Sequence, residues 1–217
     1  MSDNICIDIL RVNKHCDRVS QSADVDGRRA RTERSRAAVV DALLALYDEG
    51  AVRPGAAEVA ARAGVSTRSV FRHFDDLEGL ARAAIDQQWQ RVHALFDAPS
   101  TEGDVDARIV ALIEQRLTLH AAIIGVARAA MAMAPSSPVV ASTLYSRRRL
   151  LGEQVTAQFA PELRQSRGRQ REELAAALEV AASLEVVDYL RTHLGLERQR
   201  AGATMRRTLV ALLRTHG

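Results

Sequence analysis

Apolar side chains recur at steps of three and four along nearly the whole chain, and nowhere over a strand's length do they alternate with polar ones. That spacing lines them along one side of a helix of 3.6 residues per turn, so each segment that carries it has a stripe to bury against another helix. Val40, Leu43, Leu44 and Tyr47 form one such stripe; Leu77, Leu80, Ala81, Ala84, Ile85 and Val92 form another. Glycine and proline are sparse, 12 and 5 of 217 residues, while Ala, Leu, Arg and Glu are abundant. The interior is therefore expected to be helix packing built from small and aliphatic residues.

The stops divide the chain. A first helix is expected over Thr32 to Asp48, ending at Gly50, and a short one over Ala57 to Ala63, ending at Gly64. A third begins after Ser66 and closes near Phe74, and a fourth covers Leu77 to Phe96 before Asp97-Ala98-Pro99-Ser100. Val105 to His120, Ala121 to Met133, and a helix opened by Ser137-Pro138 and reaching Phe159 follow. After a polar, arginine-rich loop over Pro161 to Gln170, two last helices, Arg171 to His193 and Glu197 to Thr215, meet at Gly195. The expected fold is all-α with about nine helices: a three-helix N-terminal domain over residues 28–76, then a larger helical domain over 77–217. Residues 1–27 stand apart. Ile5, Ile9, Val12, Cys16 and Val19 predict a short amphipathic helix there, followed by a polar link.

Several function classes find no support. No stretch approaches the roughly 18 consecutive apolar residues of a membrane span, and the N-terminus lacks the basic-then-apolar order of a secretory signal. A cytoplasmic protein is expected. Cys6 and Cys16 are read as free thiols, since two cysteines beside His15 do not specify a zinc site. No metal and no cofactor are expected. The six histidines form no H-E-x-x-H pattern, and phosphate-binding, nucleophile-elbow and dinucleotide-binding glycine patterns are missing. A helical enzyme assembled from scattered residues and a protein-binding adaptor remain the lesser alternatives. Lys14 is the only lysine, so nearly all the positive charge is arginine. Arginine suits phosphate and guanine because its planar fork binds them through two hydrogen bonds; a genomic bias toward arginine codons would leave the same signature.

The chemistry concentrates between Ala57 and Leu80. Two short helices joined by a three- or four-residue turn containing glycine describe a helix-turn-helix. Gly64 supplies the left-handed residue such a turn needs, and Ser66 stands where the second helix wants its N-cap. Val65 and Val70 flank that cap as a hydrophobic staple, and Asp75 with Glu78 forms a capping pattern for the next helix. With Val70 and Phe74 turned inward, Thr67, Arg68, Phe71, Arg72 and His73 face outward, and no acid lies between Glu58 and Asp75. Such a helix can enter a major groove and read base edges while Ser66, Ser69 and the free N–H groups of its first turn hold phosphate.

The run Val59-Ala60-Ala61-Arg62-Ala63-Gly64-Val65-Ser66, followed by Val70-Phe71-Arg72-His73-Phe74, closely resembles the DNA-binding signature of the TetR family of regulators. The resemblance covers Thr32 to about Ile85 and is architectural beyond it. It implies a transcriptional regulator that is a homodimer through its last two helices. It further implies a pseudo-palindromic operator set by the two-fold axis, and release from that operator when an apolar small molecule binds the larger domain. A constitutive DNA-binding regulator or an activator is the alternative. The sequence departs from the family where Phe71 replaces a phosphate-binding tyrosine, Leu77 a lysine, and Pro54-Gly55 a serine or threonine. Arg53, Arg68 and Arg72 are the cations available to replace those contacts. Ahead of the first helix, Arg28, Arg29, Arg31, Arg34 and Arg36 stand against a single acid, Glu33. They are either a basic arm for backbone or minor groove, or a solvated tail.

In the larger domain, Trp89, His93, Phe96 and His120, with Met131, Met133 and Tyr145, are candidate walls of an effector pocket. Each could equally be ordinary core or surface. Leu174, Leu178, Ala181, Leu184, Leu190 and Leu194, with Leu209, Val210, Leu212 and Leu213, offer apolar faces for a dimer bundle or for the protein's own core. Gly125, inside an apolar helix, marks either a close helix approach or a void.

Overall fold

The computed structural model describes residues 29–214, and all regular structure among them is helical. The N-terminal extension with Cys6 and Cys16 lies outside the described residues, as do Arg28 and residues 215–217. The helices are α1 (29–48), α2 (Ala56–Ala63), α3 (Thr67–His73) and α4 (Leu77–Val92), the last continued by a 3₁₀ turn over His93–Phe96. There follow α5 (Val105–Met133), α6 (Pro138–Gln158), the single turn α7 (Ala160–Leu163), α8 (Gly168–Ala181), α9 (Leu184–Asp188) with a π turn over Tyr189–His193, and α10 (Arg198–Arg214). The chain divides into two compact units. One contains the described residues up to Leu43 together with Pro54–Ala81; the other contains Leu44–Arg53 and everything from Arg82 onward.

In the first unit Val39 and Val40 of α1, Val59 and Ala60 of α2, and Val70 and Phe74 at α3 are buried, with Leu80 and Ala81 from the start of α4. These are the stripe positions of four successive helices. The helix ends are set locally. At Gly55 the N–H donates to the Glu58 carboxylate at 2.7 Å, so the first turn of α2 is capped without a serine or threonine. Gly64, at φ 65°, ends α2. Its N–H donates to the Ala61 carbonyl and that of Val65 to the Ala60 carbonyl, a Schellman closure. Asp76, one residue later than predicted, caps α4 by accepting from the Gly79 N–H at 2.6 Å.

The second unit is organised around α5, which packs against α6, α9 and α10. It is one 29-residue helix where two were predicted, because neither glycine nor proline stands at His120-Ala121 to stop it. Its most apolar window has a mean hydropathy of 1.5, enough by length and composition to cross a membrane, yet half of that window is buried inside the unit. Ile109, Leu112 and Leu117 of α5 share a core with Val155 and Phe159 of α6 and with Met205 of α10. The helix predicted over Arg171 to His193 is instead broken. Ser183 accepts from the Val186 N–H at 3.2 Å and starts α9 as a new helix. Among the residues expected to offer a dimer face, Leu174, Leu178, Ala181, Leu190 and Leu209 are buried in this core within one chain. Leu184, Val210, Leu212 and Leu213 are half-buried, and Leu194 is exposed.

Gly125 resolves as a close approach. A Cβ built on it would lie 2.5 Å from the Tyr47 carbonyl oxygen and 2.7 Å from the Tyr47 carbonyl carbon, both backbone atoms of the same unit. Alanine ordinarily favours a helix interior over glycine by about 1 kcal/mol. Here Gly125→Ala is expected to destabilise the protein by about 1–3 kcal/mol in urea unfolding, since backbone must shift to admit one methyl group. A stabilised variant would show that α5 does not depend on this contact.

Candidate nucleic-acid interface and ligand cavity

α3 is a seven-residue helix whose beginning is fixed by Ser66. Its Oγ accepts from the Ser69 N–H at 3.2 Å and lies 3.0 Å from the Ser69 Oγ. Val65 and Val70 occupy the staple positions on either side of that cap, and Val70 is 1% exposed. Phe74, in extended backbone, ends the helix and is buried. With that edge sealed, Thr67, Arg68, Phe71 and Arg72 are exposed, and Phe71 shows half its surface to solvent (49%). Neither Arg68 nor Arg72 has an ion-pair partner among the described residues. The exposed face of α3 thus carries two arginines, a hydroxyl and an aromatic ring, with no acid.

His73 departs from the outward orientation predicted for it. It is half-buried and its Nε2 lies 3.1 Å from the Ser35 Oγ of α1. Burial lowers its pKa, and the neighbouring Arg72 and Arg36 add to the shift. The five-arginine segment is not an extended arm in its described part, because Arg29, Arg31, Arg34 and Arg36 lie in the first turns of α1. Arg34 donates to the Ala30 carbonyl at 3.3 Å. Arg36 stacks its guanidinium 4.7 Å from the centre of the Phe74 ring and so closes the outer side of the core beneath α3. Arg53 belongs to the second unit, where its guanidinium donates to the Ala132 carbonyl. Leu77 is partly exposed.

The second unit holds a cavity of about 180 Å³. Its walls are Val92 at the end of α4, Phe96 of the 3₁₀ turn, Ile123 and Ala127 of α5, Leu144 and Leu151 of α6, and Leu184 of α9. Of the residues predicted to form a pocket, Phe96 and Met131 line it. Trp89 stands behind Phe96, ring centres 5.0 Å apart, and His93 lies on the exposed side of Trp89 at 6.2 Å. Met133 does not reach the wall, and Tyr145 is 69% exposed. His120 touches the site only through Asp188. Sequence reasoning missed the polar rim of Gln88, Arg147, Arg148, Glu185 and Asp188. The spacing of Leu144, Arg147, Arg148 and Leu151 on one helix face was the available signal.

The rim is closely paired. Arg148 meets Glu185 at 2.8 Å, and Asp188 Oδ1 accepts from Arg128 at 2.6 Å and from the Thr192 hydroxyl at 2.9 Å. Buried His120 completes this cluster with its Nε2 3.2 Å from the same oxygen. Burial works against the Asp188 charge, but the hydrogen bonds from Arg128, Thr192 and His120 outweigh it and hold the carboxyl below its usual range. Burial also dominates at His120 and lowers its pKa, against the raising effect of the Asp188 contact.

No protein-family model and no curated protein matches the sequence. Solved structures with the same architecture include a transcriptional regulator from Rhodococcus sp. Rha1, with a TM-score of 0.58 at 20% identity over 85% of this chain and 96% of that one. A TetR-family transcriptional regulator from Streptomyces coelicolor gives a TM-score of 0.57 at 17% identity, covering 83% of each chain. At these identities the shared property is the fold. The chain has the all-helical architecture of these regulators.

The lowered pKa of His120 fixes the sign of a pH effect. The unfolded chain takes up the proton near pH 6.5 and the folded chain only below that, so protonation favours unfolding. Asp188 stays ionised throughout this range and adds no slope. The melting temperature is expected to fall from about pH 8 to about pH 5.5, less steeply in His120→Gln, which keeps an N–H donor and cannot titrate. Parallel profiles for the two proteins would remove His120 from the account.

Proposed function

We propose that this protein is a DNA-binding transcriptional regulator that acts as a dimer, reads duplex DNA with α3, and leaves its operator when a small molecule occupies the cavity of the second unit. The observation that carries the reading is the exposed face of α3: Arg68 and Arg72 without an ion-pair partner among the described residues, on a helix whose Ser66 cap and buried Val70 and Phe74 fix its orientation. A cationic helix surface without acids gains little from water alone and much from phosphate and base edges, where each bidentate arginine discriminates by about 1–3 kcal/mol. The fold shared with transcriptional regulators supports the same reading.

The roles follow from the geometry. Arg68, in the first turn, is the candidate for a base edge, and Thr67, Ser69 and the N–H groups around Ser66 for phosphate. Arg72 extends the charge along the helix. Phe71 supplies apolar contact, such as a thymine methyl, in place of the phosphate bond a tyrosine would make. The helical arginines Arg29, Arg31 and Arg34 add a second cationic surface to the same unit, while Arg53, already bound to Ala132, takes the smallest part. Two copies of α3 about 34–36 Å apart would select half-sites one DNA turn apart. Release requires only that the ligand bind more tightly to a state with the wrong spacing. The α8 and α10 surfaces are the candidates for pairing, through their exposed residues rather than through the buried leucines. This reading keeps the cytoplasmic location expected from the sequence.

Selection of bound duplexes from random DNA tests the reading directly, with an enriched two-fold-symmetric site as the expected result. Arg68→Ala should weaken binding to that site about 5- to 150-fold and relax one base position, whereas Arg31→Ala should weaken all duplexes alike and flatten the salt dependence. A pool that shows no enrichment, with no loss of affinity as salt rises, excludes the DNA-binding role.

A further inference from the structure

The polar rim of the cavity is unevenly neutralised, and that unevenness points to a ligand. Arg148 is answered by Glu185, and Asp188 by Arg128, Thr192 and His120. The Gln88 amide nitrogen is spent on the Ala122 carbonyl at 2.7 Å. Arg147 is the exception. It is half-buried at the cavity wall and makes no hydrogen bond and no ion pair among the described residues. Its guanidinium lies 4.7 Å from the centre of the Trp89 ring. A guanidinium stacked on an aromatic face is held in orientation while its edge N–H groups stay free to take a carboxylate through two bonds. Burial disfavours the charge, and the exposed carboxylate of Asp86 eases this only through its field. Around this one unanswered cation the walls are aliphatic and aromatic carbon.

We infer that the cavity takes a small organic acid, with an apolar body of about six to ten carbons among the walls and its carboxylate on Arg147. The size follows from volume: a cavity of about 150 Å³ admits benzene, and this one measures about 180 Å³. The charge follows from Arg147, which a neutral ligand would leave half-buried without an anionic partner and a cationic ligand would oppose. The inference rests on the reading of this cavity as the effector site and narrows it to one chemical class.

Trp89 is the only tryptophan in the chain, so its emission reports directly on the neighbour of Arg147. The full chain, without DNA, is titrated with octanoate, octanamide and acetate at about pH 7.5, where the acids are ionised, by fluorescence and by calorimetry. Saturable binding of octanoate, at least tenfold tighter than octanamide, is expected, with acetate far weaker for want of an apolar body. Arg147→Gln should weaken octanoate about 10- to 100-fold, the range of a charge-assisted hydrogen bond, and leave octanamide unchanged. Arg147→Lys, which keeps the charge and loses the fork, should fall between. Circular dichroism checks that both variants are folded. Equal affinities for octanoate and octanamide, no saturable octanoate binding, or wild-type octanoate affinity in folded Arg147→Gln overturns the inference. Operator affinity measured with and without octanoate separates the two claims. Acid binding that leaves DNA affinity untouched overturns effector release alone, and intact DNA binding without acid binding overturns only the ligand class.

Discussion

Arg116 enters the core of the second unit fully buried, with no carboxylate bonded to it among the described residues, and the helices around it are placed so that its donors still find acceptors. Its guanidinium donates to the Ala182 carbonyl at 3.0 Å, the Leu151 carbonyl at 2.9 Å, the Gln154 side chain at 3.0 Å and the Gln115 side chain. Burial pushes its pKa down to about 10, which leaves it charged at neutral pH. An unpaired buried ion ordinarily costs several kcal/mol. Here part of that cost is offset because Ala182 lies at the C-terminal end of α8, where the helix dipole favours a cation. The consequence is geometric: α5, α6 and α8 are held in one register by a single side chain. Gln154 passes the constraint on by donating to the Phe96 carbonyl, and Gln115 does so by donating to the Asp97 carbonyl at 2.7 Å. Phe96 and Leu151 both line the cavity. A polar network in the core therefore shapes the apolar walls.

The helix-turn-helix was legible in the sequence because its determinants act over four residues or fewer. Gly64 closes one helix, Ser66 opens the next, and Val70 with Phe74 chooses the buried face, so the exposure of Arg68 and Arg72 follows from the spacing. The inward turn of His73 was not legible, since its partner Ser35 lies 38 residues away and only tertiary packing brings the two together. The same limit applies to the cavity. Trp89, Arg147 and Asp188 come from three separate helices, and their relation depends on a packing that no local pattern encodes. Phe96 and Met131 could be named because a pocket needs apolar walls. Tyr145 was named on the same ground, but its helix turns that face to solvent.

Helix boundaries show how periodicity can mislead in both directions. The apolar period runs unbroken from Leu174 to Leu190, yet the chain restarts at Ser183, whose cap uses the same chemistry as Ser66. A capping residue inside a continuous stripe competes with the helix it interrupts, and here the cap wins. Between His120 and Ala121 nothing competes, and α5 continues for 29 residues. α10 packs directly on α5, and α8 joins the same core through α6 and α10. A helix this long has room to bury neighbours on several sides, so residues that a shorter centre would leave for a partner subunit are consumed within one chain.

The arginine excess admitted two explanations in the sequence, genomic composition or chemical need, and the structure distinguishes them position by position. Arg116 uses the reach of a planar fork to join carbonyls on different helices; a lysine ammonium, a compact point charge, could not bond all of them at once. Arg36 and Arg147 hold their guanidinium carbons 4.7 Å from the centres of the Phe74 and Trp89 rings, where a weakly hydrated guanidinium sits more readily than an ammonium. Arg108 binds Glu162 through two nitrogens, at 2.5 and 3.0 Å, while also donating to the Gln158 carbonyl. Arg149 and Arg169, by contrast, make exposed pairs one helical turn away with Glu153 and Glu173, which lysine would serve as well. Arginines of the second kind make no contact that needs the planar fork. Those of the first kind are held by geometry, and they lie at the core of the larger unit, at its cavity and beneath α3.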